Sequence, residues 1–306
     1  MNILHMKYAV EVAKAGSLSK ASETLLIAQP NISRSIKELE NDLGITIFER
    51  SAKGMFLTHD GEVFMNYAKS IISQIEEVER FYKESAPDKL RFSISVPRAS
   101  YISEAFAEFS KTLNSSSCEI FYNETNSRRA IENITGNDYD LGIIRYAANH
   151  DETFKTMLEE KGLNYELVTQ FSYQLIMSRD HRLANKETIF LSDLKDYVEI
   201  AHADPYVPSL SLSKVLKEEQ TTGGDKKIYV FERASQFELL SENTDTFMWI
   251  SPVSDKMLSR YNLIQRPCAD NTRLYKDMLI YRNGYTLSAL DKEFITILIK
   301  TRRQYL

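Results

Sequence analysis

The chain has 306 residues, 43% of them hydrophobic, and a formal charge of −5. That length and apolar content predict two or three domains with real cores. The net acidity excludes wholesale attraction to nucleic acid, no apolar run approaches a membrane span, and two distant cysteines, Cys118 and Cys268, without CxxC or Cys/His spacing, leave a disulfide framework or zinc site unsupported. With no signal-peptide pattern at the N-terminus, the expected compartment is the cytoplasm, with both thiols reduced and at least partly buried.

Leu4 to Ala15 reads as a scaffold helix with Leu4, Tyr8, Val12 and Ala15 on one side. Ser17 can cap a short second helix to about Leu25, with Leu18, Ala21 and Leu25 inward. Leu26-Ile27-Ala28 leaves room only for a tight turn, and Pro30 suits the first turn of a third helix, where its missing N–H is not needed. That helix places Ile32, Ile36, Leu39 and Leu43 on one face. Pro30, Ser33, Arg34, Lys37 and Asn41 fall opposite, an acid-free basic stripe of the kind a major-groove helix requires. Residues 1–58 hold seven Lys/Arg against six Asp/Glu, so DNA binding would rest on where the charges sit rather than on their sum. Ile45 to Phe48, a turn at Ala52-Lys53-Gly54 and Phe56-Leu57 predict a hairpin with Arg50 and Lys53 near its tip, placed for phosphate or minor-groove contact.

Thr58 should cap a long helix to about Glu84. Phe64, Ala68, Ile71, Ile75, Val78 and Tyr82 recur on it as a heptad seam that predicts a two-helix dimer contact. Ser85 to Asp88 then breaks the helix and marks a domain boundary. Beyond it, strand patterns at Leu90–Val96, Cys118–Tyr122 and Leu141–Ile144 alternate with helical patterns at Tyr101–Leu113 and Ser127–Ile134, which predicts a parallel sheet with helical crossovers. Two extended runs meet around Phe171-Ser172. Further strands are expected at Tyr197–Ala201, Ile228–Phe231, Phe247–Ser251, Leu263–Arg266 and Arg273–Tyr281. Helices are expected near Ser211–Glu219 and Ser235–Ser241, with a closing helix from Leu287. Gly223-Gly224-Asp225 is a loop without a phosphate-cradle frame. The chain should leave its first lobe near Gly162 and return near Arg266, giving two lobes around a cleft.

The N-terminal text carries Gly16-Ser17-Leu18, Ala21, Leu25, Gln29-Pro30, Ser33, Ile36, Leu39-Glu40, Leu43-Gly44, Phe48, Arg50, Leu57-Thr58 and Gly61 in ungapped spacing. It resembles the winged helix-turn-helix of LysR-type transcriptional regulators, with Ala28 departing where that family often has a hydroxyl. A thinner resemblance, in GNDYDLGII, SRDHRLA and LSDL, extends to the family's effector domain, while DTFMWISP at 245–252 departs from it. The resemblance implies an α/β protein with an all-α-rich N-terminal winged helix-turn-helix and a C-terminal two-lobed, periplasmic-binding-protein-like effector domain. The implied parts are DNA binding over 1–58, a linker and dimerisation helix over 59–87, and the effector domain over 88–306. In that domain lobe I takes about 88–162 and 267–306, and lobe II about 163–266.

In such a protein Gln29, Asn31 and Arg34 would reach base edges, while Pro30, Ser33, Lys37, Arg50 and Lys53 would lie along the backbone. Ligands of parallel α/β lobes sit at the carboxyl ends of strands. That rule nominates Arg98, Ser100, Tyr101, Asn126, Ser127, Arg145 and His202, and the two arginines invite an anionic small-molecule effector. The implied partners are double-stranded DNA, a second or further copies of the chain as homodimer or homotetramer, and RNA polymerase for an activator; no membrane partner and no cofactor are expected. The five histidines form no HExxH or close metal pair, and no GxSxG elbow occurs, so catalysis is not expected. The alternative is a cytoplasmic ligand-binding or enzymatic protein whose winged helix serves protein interaction.

Overall fold

The computed structural model describes residues 2–51, 54–83, 90–113, 117–219, 226–231 and 233–305. The chain divides into two compact units, Met1–Asp88 and Lys89–Leu306.

In the first unit, α1 (Ile3–Ala15), α2 (Leu18–Leu25) and α3 (Gln29–Leu43) close around one core. Asn2 caps α1 by accepting from the Leu4 amide at 2.8 Å. The buried face of α1 is Met6, Tyr8, Ala9 and Val12, and Leu4, expected inside, is exposed in the first turn. Ser17 stands at the N-cap of α2 with extended backbone, yet its side chain makes no capping bond. Leu26 ends α2 in the left-handed region at φ 54° and is 92% exposed, an unfavourable conformation for a residue with a Cβ. Pro30 lies in the first turn of α3, whose inner face is Ile32, Ile36 and Leu39, with Leu43 partly buried behind them.

The wing is a two-stranded ladder of β1 (Phe48–Ser51) and β2 (Gly54–Leu57), with Arg50 opposite Met55. The Glu40 carboxylate fastens it to α3, since Oε1 accepts the amides of Ile47 at 2.8 Å and Phe48 at 3.2 Å. Thr58 caps α4 (His59–Lys83) by accepting the Gly61 amide at 2.9 Å. Gly61 is required there by close approach, because a Cβ would lie 2.2 Å from the Ile47 carbonyl oxygen. Phe64 and Ala68 of the expected seam are buried in this unit's own core, and Ile71 packs on it, whereas Val78 is 56% exposed. Only the later part of that stripe is therefore open to another chain, and its last member, the Tyr82 side chain, lies outside the described residues, as does the expected break at Ser85 to Asp88.

The second unit begins with β3 (Leu90–Val96), α5 (Ser100–Ser110), β4 (Cys118–Glu124), α6 (Ser127–Thr135), β5 (Leu141–Ala147), α7 (Asp151–Glu160) and β6 (Leu163–Ser172). It continues through β7 (Gln174–Ser178), β8 (Val198–His202), α8 (Leu212–Glu219), β9 (Lys227–Val230), α9 (Arg233–Glu242), β10 (Thr246–Ile250), α10 (Asp255–Arg260) and β11 (Leu263–Arg266). It closes with β12 (Leu274–Arg282) and α11 (Ala289–Arg302). Two five-stranded sheets result, ordered β4-β3-β5-β12-β6 and β11-β7-β10-β8-β9. The first sheet is mixed rather than wholly parallel: β3, β4 and β5 run parallel, and β12 opposes both β5 and β6.

The first lobe also ends later than expected. Gly162, at φ 65°, turns α7 into β6, and β6 pairs with β12 along its whole length. The exit falls at Tyr173, one residue before β7 enters the second sheet, and the return runs from Arg266 to Leu274. The two crossings touch: Asn271 Nδ2 donates to the Tyr173 carbonyl at 2.9 Å, and the Tyr173 and Tyr275 rings stack with centroids 3.9 Å apart.

The link from β8 to β9 makes a third contact between lobes. Val207 and Val215 are buried among Ala130 and Ile131 of α6 and Phe154 and Leu158 of α7, all in the first lobe. The Tyr206 ring meets Phe154 edge-on at 6.1 Å. This apolar burial is non-directional and ties the segment firmly to a lobe to which its flanking strands do not belong.

Candidate nucleic-acid interface and interlobe cavity

On α3 the side chains of Gln29, Pro30, Asn31, Arg34 and Lys37 are exposed, and Ser33 is half-buried. The helix sets them there because Ile32, Ile36 and Leu39 are drawn into the core on the other side. Ser19 Oγ on α2 lies 3.5 Å from Gln29 Oε1, at the limit of a hydrogen bond. Glu38, exposed one turn after Arg34 and 3.8 Å from the His5 ring, borders this surface, and Glu40 is turned away to hold the wing. Arg50 sits on β1; its side chain and the whole of Lys53 lie outside the described residues.

In the second unit a cavity of about 720 Å³ opens between the two sheets. Arg98, Asn126, Ser127, Arg145 and His202 line it. Ser127 is held by an exchange with Arg145: its hydroxyl accepts the Arg145 amide at 3.0 Å and donates to the Arg145 carbonyl at 2.7 Å. Burial, followed by the nearby Arg98, pushes the His202 imidazole down to about 4, so the ring is neutral at physiological pH. Its Nδ1 is buried with no hydrogen-bond partner among the described residues.

Neither arginine is a free anion receptor. Arg145 clasps Asp277 on β12 through Nε and Nη2, both at 2.7 Å. The Tyr101 hydroxyl donates to the same carboxylate at 2.6 Å. Asp277 is fully buried, and Arg145 stays protonated because the Asp277 charge outweighs the burial that opposes it. The guanidinium also lies 4.7 Å from the Phe171 ring centroid and donates to Ser251 Oγ at 3.3 Å, so it spans both lobes. Arg98 reaches the second lobe instead, donating to Asp204 Oδ1 at 3.3 Å and to the Phe231 carbonyl at 2.6 Å. The expected opening of Arg98 and Arg145 toward a ligand is thus corrected: each charge already has an acid beside it, as a low-dielectric site demands.

Ser100 and Tyr101 do not line the cavity. Ser100 is buried under Arg233, whose Nη2 donates to its hydroxyl at 2.9 Å. Tyr101 follows it by one helical step of about 100° and so turns into the core, where burial and then Asp277 hold its phenol protonated.

Residues 3–62 match the family model for the bacterial regulatory helix-turn-helix protein, lysR family. The first unit of the chain therefore carries a lysR-family regulatory helix-turn-helix. The HTH-type transcriptional regulator AlsR of Bacillus subtilis is 27% identical over 214 residues, 69% of this chain and 67% of AlsR. Alignments to the next three relatives span only 35%, 30% and 29% of their length. In fold, this chain is similar to a full-length OxyR variant from Pseudomonas aeruginosa, with a TM-score of 0.62 at 15% identity over 99% of this chain and 95% of that one. It is also similar to the full-length regulator LysG from Corynebacterium glutamicum with bound effector Arg, with a TM-score of 0.61 at 15% identity over 100% and 99% of the two chains.

Sequence reasoning missed several walls of the cavity. Trp249, the chain's single tryptophan, lines it at the end of β10, with its indole N–H buried and unpartnered among the described residues. Its signal was the departing segment DTFMWISP, where a large donor-bearing ring follows an apolar strand. Asp204, Tyr206 and Val207 line it from the β8–β9 link, and Glu199 lines it while pairing with Lys227 at 3.0 Å. Among the described residues no group of three His, Cys, Asp or Glu side chains could hold a metal, and no helix is long and apolar enough to cross a membrane. Cys268 is buried and its thiol is pushed up to about 12 by burial and then Asp270, leaving little thiolate at neutral pH.

Proposed function

We propose that this protein reads operator DNA with the exposed stripe of α3 and changes its grip on DNA when a small molecule occupies the interlobe cavity. The observation that carries the reading is the exposed polar surface of Gln29, Asn31, Arg34 and Lys37 on the third helix of a regulatory helix-turn-helix. Gln29, Asn31 and Arg34 supply donors and acceptors for base edges, with Pro30 fixing the helix start. Ser33, Lys37, Arg50 and Lys53 serve phosphates. The exposed part of the α4 stripe supports pairing of two copies, which would present two such helices to two half-sites. Two pairs as a tetramer, and contact with RNA polymerase, extend the same reading.

For the ligand, the support is the cavity volume, the polar side chains that both lobes bring to it and the polar atoms of His202 and Trp249 that have no partner among the described residues. A molecule that bridges the lobes would favour one separation of them over another, and so bias the spacing of paired α3 helices.

The test is a titration of the full chain against DNA from its own upstream region and a scrambled duplex at fixed salt. Arg34→Ala should weaken specific binding roughly 5- to 150-fold, the 1–3 kcal/mol of one base contact, with the oligomeric state unchanged. Equal affinity of wild type for both duplexes in a selection over random fragments would refute sequence reading. Quenching or shift of Trp249 emission, in screens of small molecules, reports occupancy of the cavity.

A further inference from the structure

Asp204 stands where the two lobes face each other across the cavity. Its Oδ1 accepts from Arg98 Nη1 at 3.3 Å, and its Oδ2 and carbonyl accept from Asn126 Nδ2 at 3.0 and 3.1 Å. Both donors belong to the first lobe, at the carboxyl ends of β3 and β4, while Asp204 begins the link between β8 and β9 of the second lobe. The arrangement is an arginine and an amide converging on one carboxylate at the wall of the cavity, which is the donor set that would receive a free carboxylate. His202, two residues earlier, adds a neutral ring whose buried Nδ1 has no partner among the described residues. The segment that follows Asp204 is packed on the first lobe through Tyr206, Val207 and Val215. The carboxylate and the apolar residues thus make one strap, anchored at its start by charge and further along by burial.

We propose that Asp204 is a built-in occupant of a carboxylate seat formed by Arg98 and Asn126, and that a ligand carboxylate taking this seat displaces Asp204 and loosens the Asp204–Leu216 strap from the first lobe. This rests on the reading of the cavity as a ligand site and names the chemistry and the consequence of filling it. The exchange replaces one carboxylate by another on the same donors, so the seat itself stays satisfied. What changes is the strap, which loses its charged anchor and keeps only its apolar one. Ligand binding is thereby coupled to the opening of a segment that seals one wall of the cavity.

Hydrogen exchange of the full chain, followed in peptides over 203–216, tests this with acetate as the probe. Asp204→Ala should exchange about tenfold faster there than wild type, as expected when a local opening loses its anchor. Against sodium chloride of equal ionic strength, sodium acetate should leave exchange over 203–216 fast in Asp204→Ala, where the strap has no anchor to regain, but should shift Trp249 emission by filling the vacated seat. It should not shift that emission in Arg98→Met/Asp204→Ala, where the cation is gone. Asp204→Asn, which keeps the side-chain shape, should resemble Asp204→Ala without acetate. Unchanged exchange in Asp204→Ala, or Trp249 emission in it no more shifted by acetate than by chloride, overturns the proposal. A carboxylate found by Trp249 emission to bind wild type while exchange over 203–216 stays as it was also overturns it, and leaves the cavity standing as a ligand site.

Discussion

Replacing Asp277 by Asn should be among the most damaging single changes available to the second unit. The carboxylate is 0% exposed, accepts three hydrogen bonds of 2.6–2.7 Å from Tyr101 and Arg145, and is, among the described residues, the sole acid bonded to a guanidinium whose own exposure is 10%. Asn keeps the shape but removes the charge, so Arg145 is left ionised and buried without its counterion. Breaking a buried pair from one side costs about 3–5 kcal/mol. For a unit of this size that corresponds to a fall in Tm of roughly 6–20 °C, at about 2–4 °C per kcal/mol. Urea denaturation followed by far-UV circular dichroism would measure it, with Arg145→Met, Asp277→Leu and the double variant Arg145→Met/Asp277→Leu making up the cycle. The double variant should recover much of the loss, because two apolar groups of similar volume leave no orphaned charge. A single-variant loss below about 1 kcal/mol, or a double-variant loss equal to the sum of the singles, would refute the account of this pair as a coupled buried unit.

Glu40→Ala should destabilise the first unit by about 1–3 kcal/mol, since the Ile47 and Phe48 amides lose their acceptor, and thermal denaturation of the unit reads the change. Leu26→Asn should stabilise the same unit by about 1 kcal/mol, because Asn tolerates the left-handed region and Leu26 buries almost nothing there. His202 sets a pH dependence: its folded value, about 4, lies below the ordinary imidazole value, so the unfolded chain binds the proton first as pH falls. The contribution is complete above about pH 6.5 and is lost between about 6.5 and 4, by up to about 3 kcal/mol. His202→Gln should flatten the stability profile across that window in urea titrations, and an unaltered slope would contradict a neutral buried ring.

What the sequence disclosed follows from where its signals are strong. The inner face of α3 is written in Ile32, Ile36 and Leu39 at helical spacing, and β3 in the alternation of Leu90, Phe92, Ile94 and Val96, so both elements were legible. Two extended runs were legible around Phe171-Ser172, but not that the chain changes sheets there, because Phe171-Ser172-Tyr173 contains no Gly or Pro to mark the crossing. Helix α7 was missed because only Phe154 and Leu158 are buried on it, too few to stand out in a polar stretch. The carboxyl ends of strands were correctly nominated as cavity walls at Asn126, Ser127 and His202. Position alone could not say that Tyr101 turns inward or that Arg145 is already neutralised. The clue to the latter lay in Asp277, a lone acid inside the apolar strand β12, which physical chemistry obliges to have a cationic partner.

The crossings at Tyr173 and Asn271 to Leu274 lie against each other, joined by a hydrogen bond and a ring stack. Two ribbons fastened side by side behave like a pair of door pins. They bend together about the line that joins them, and twisting the lobes would stretch one ribbon while it compressed the other. Bending about that line is therefore the motion these two crossings oppose least, and it proceeds only as the β8–β9 link slides on or peels from α6 and α7.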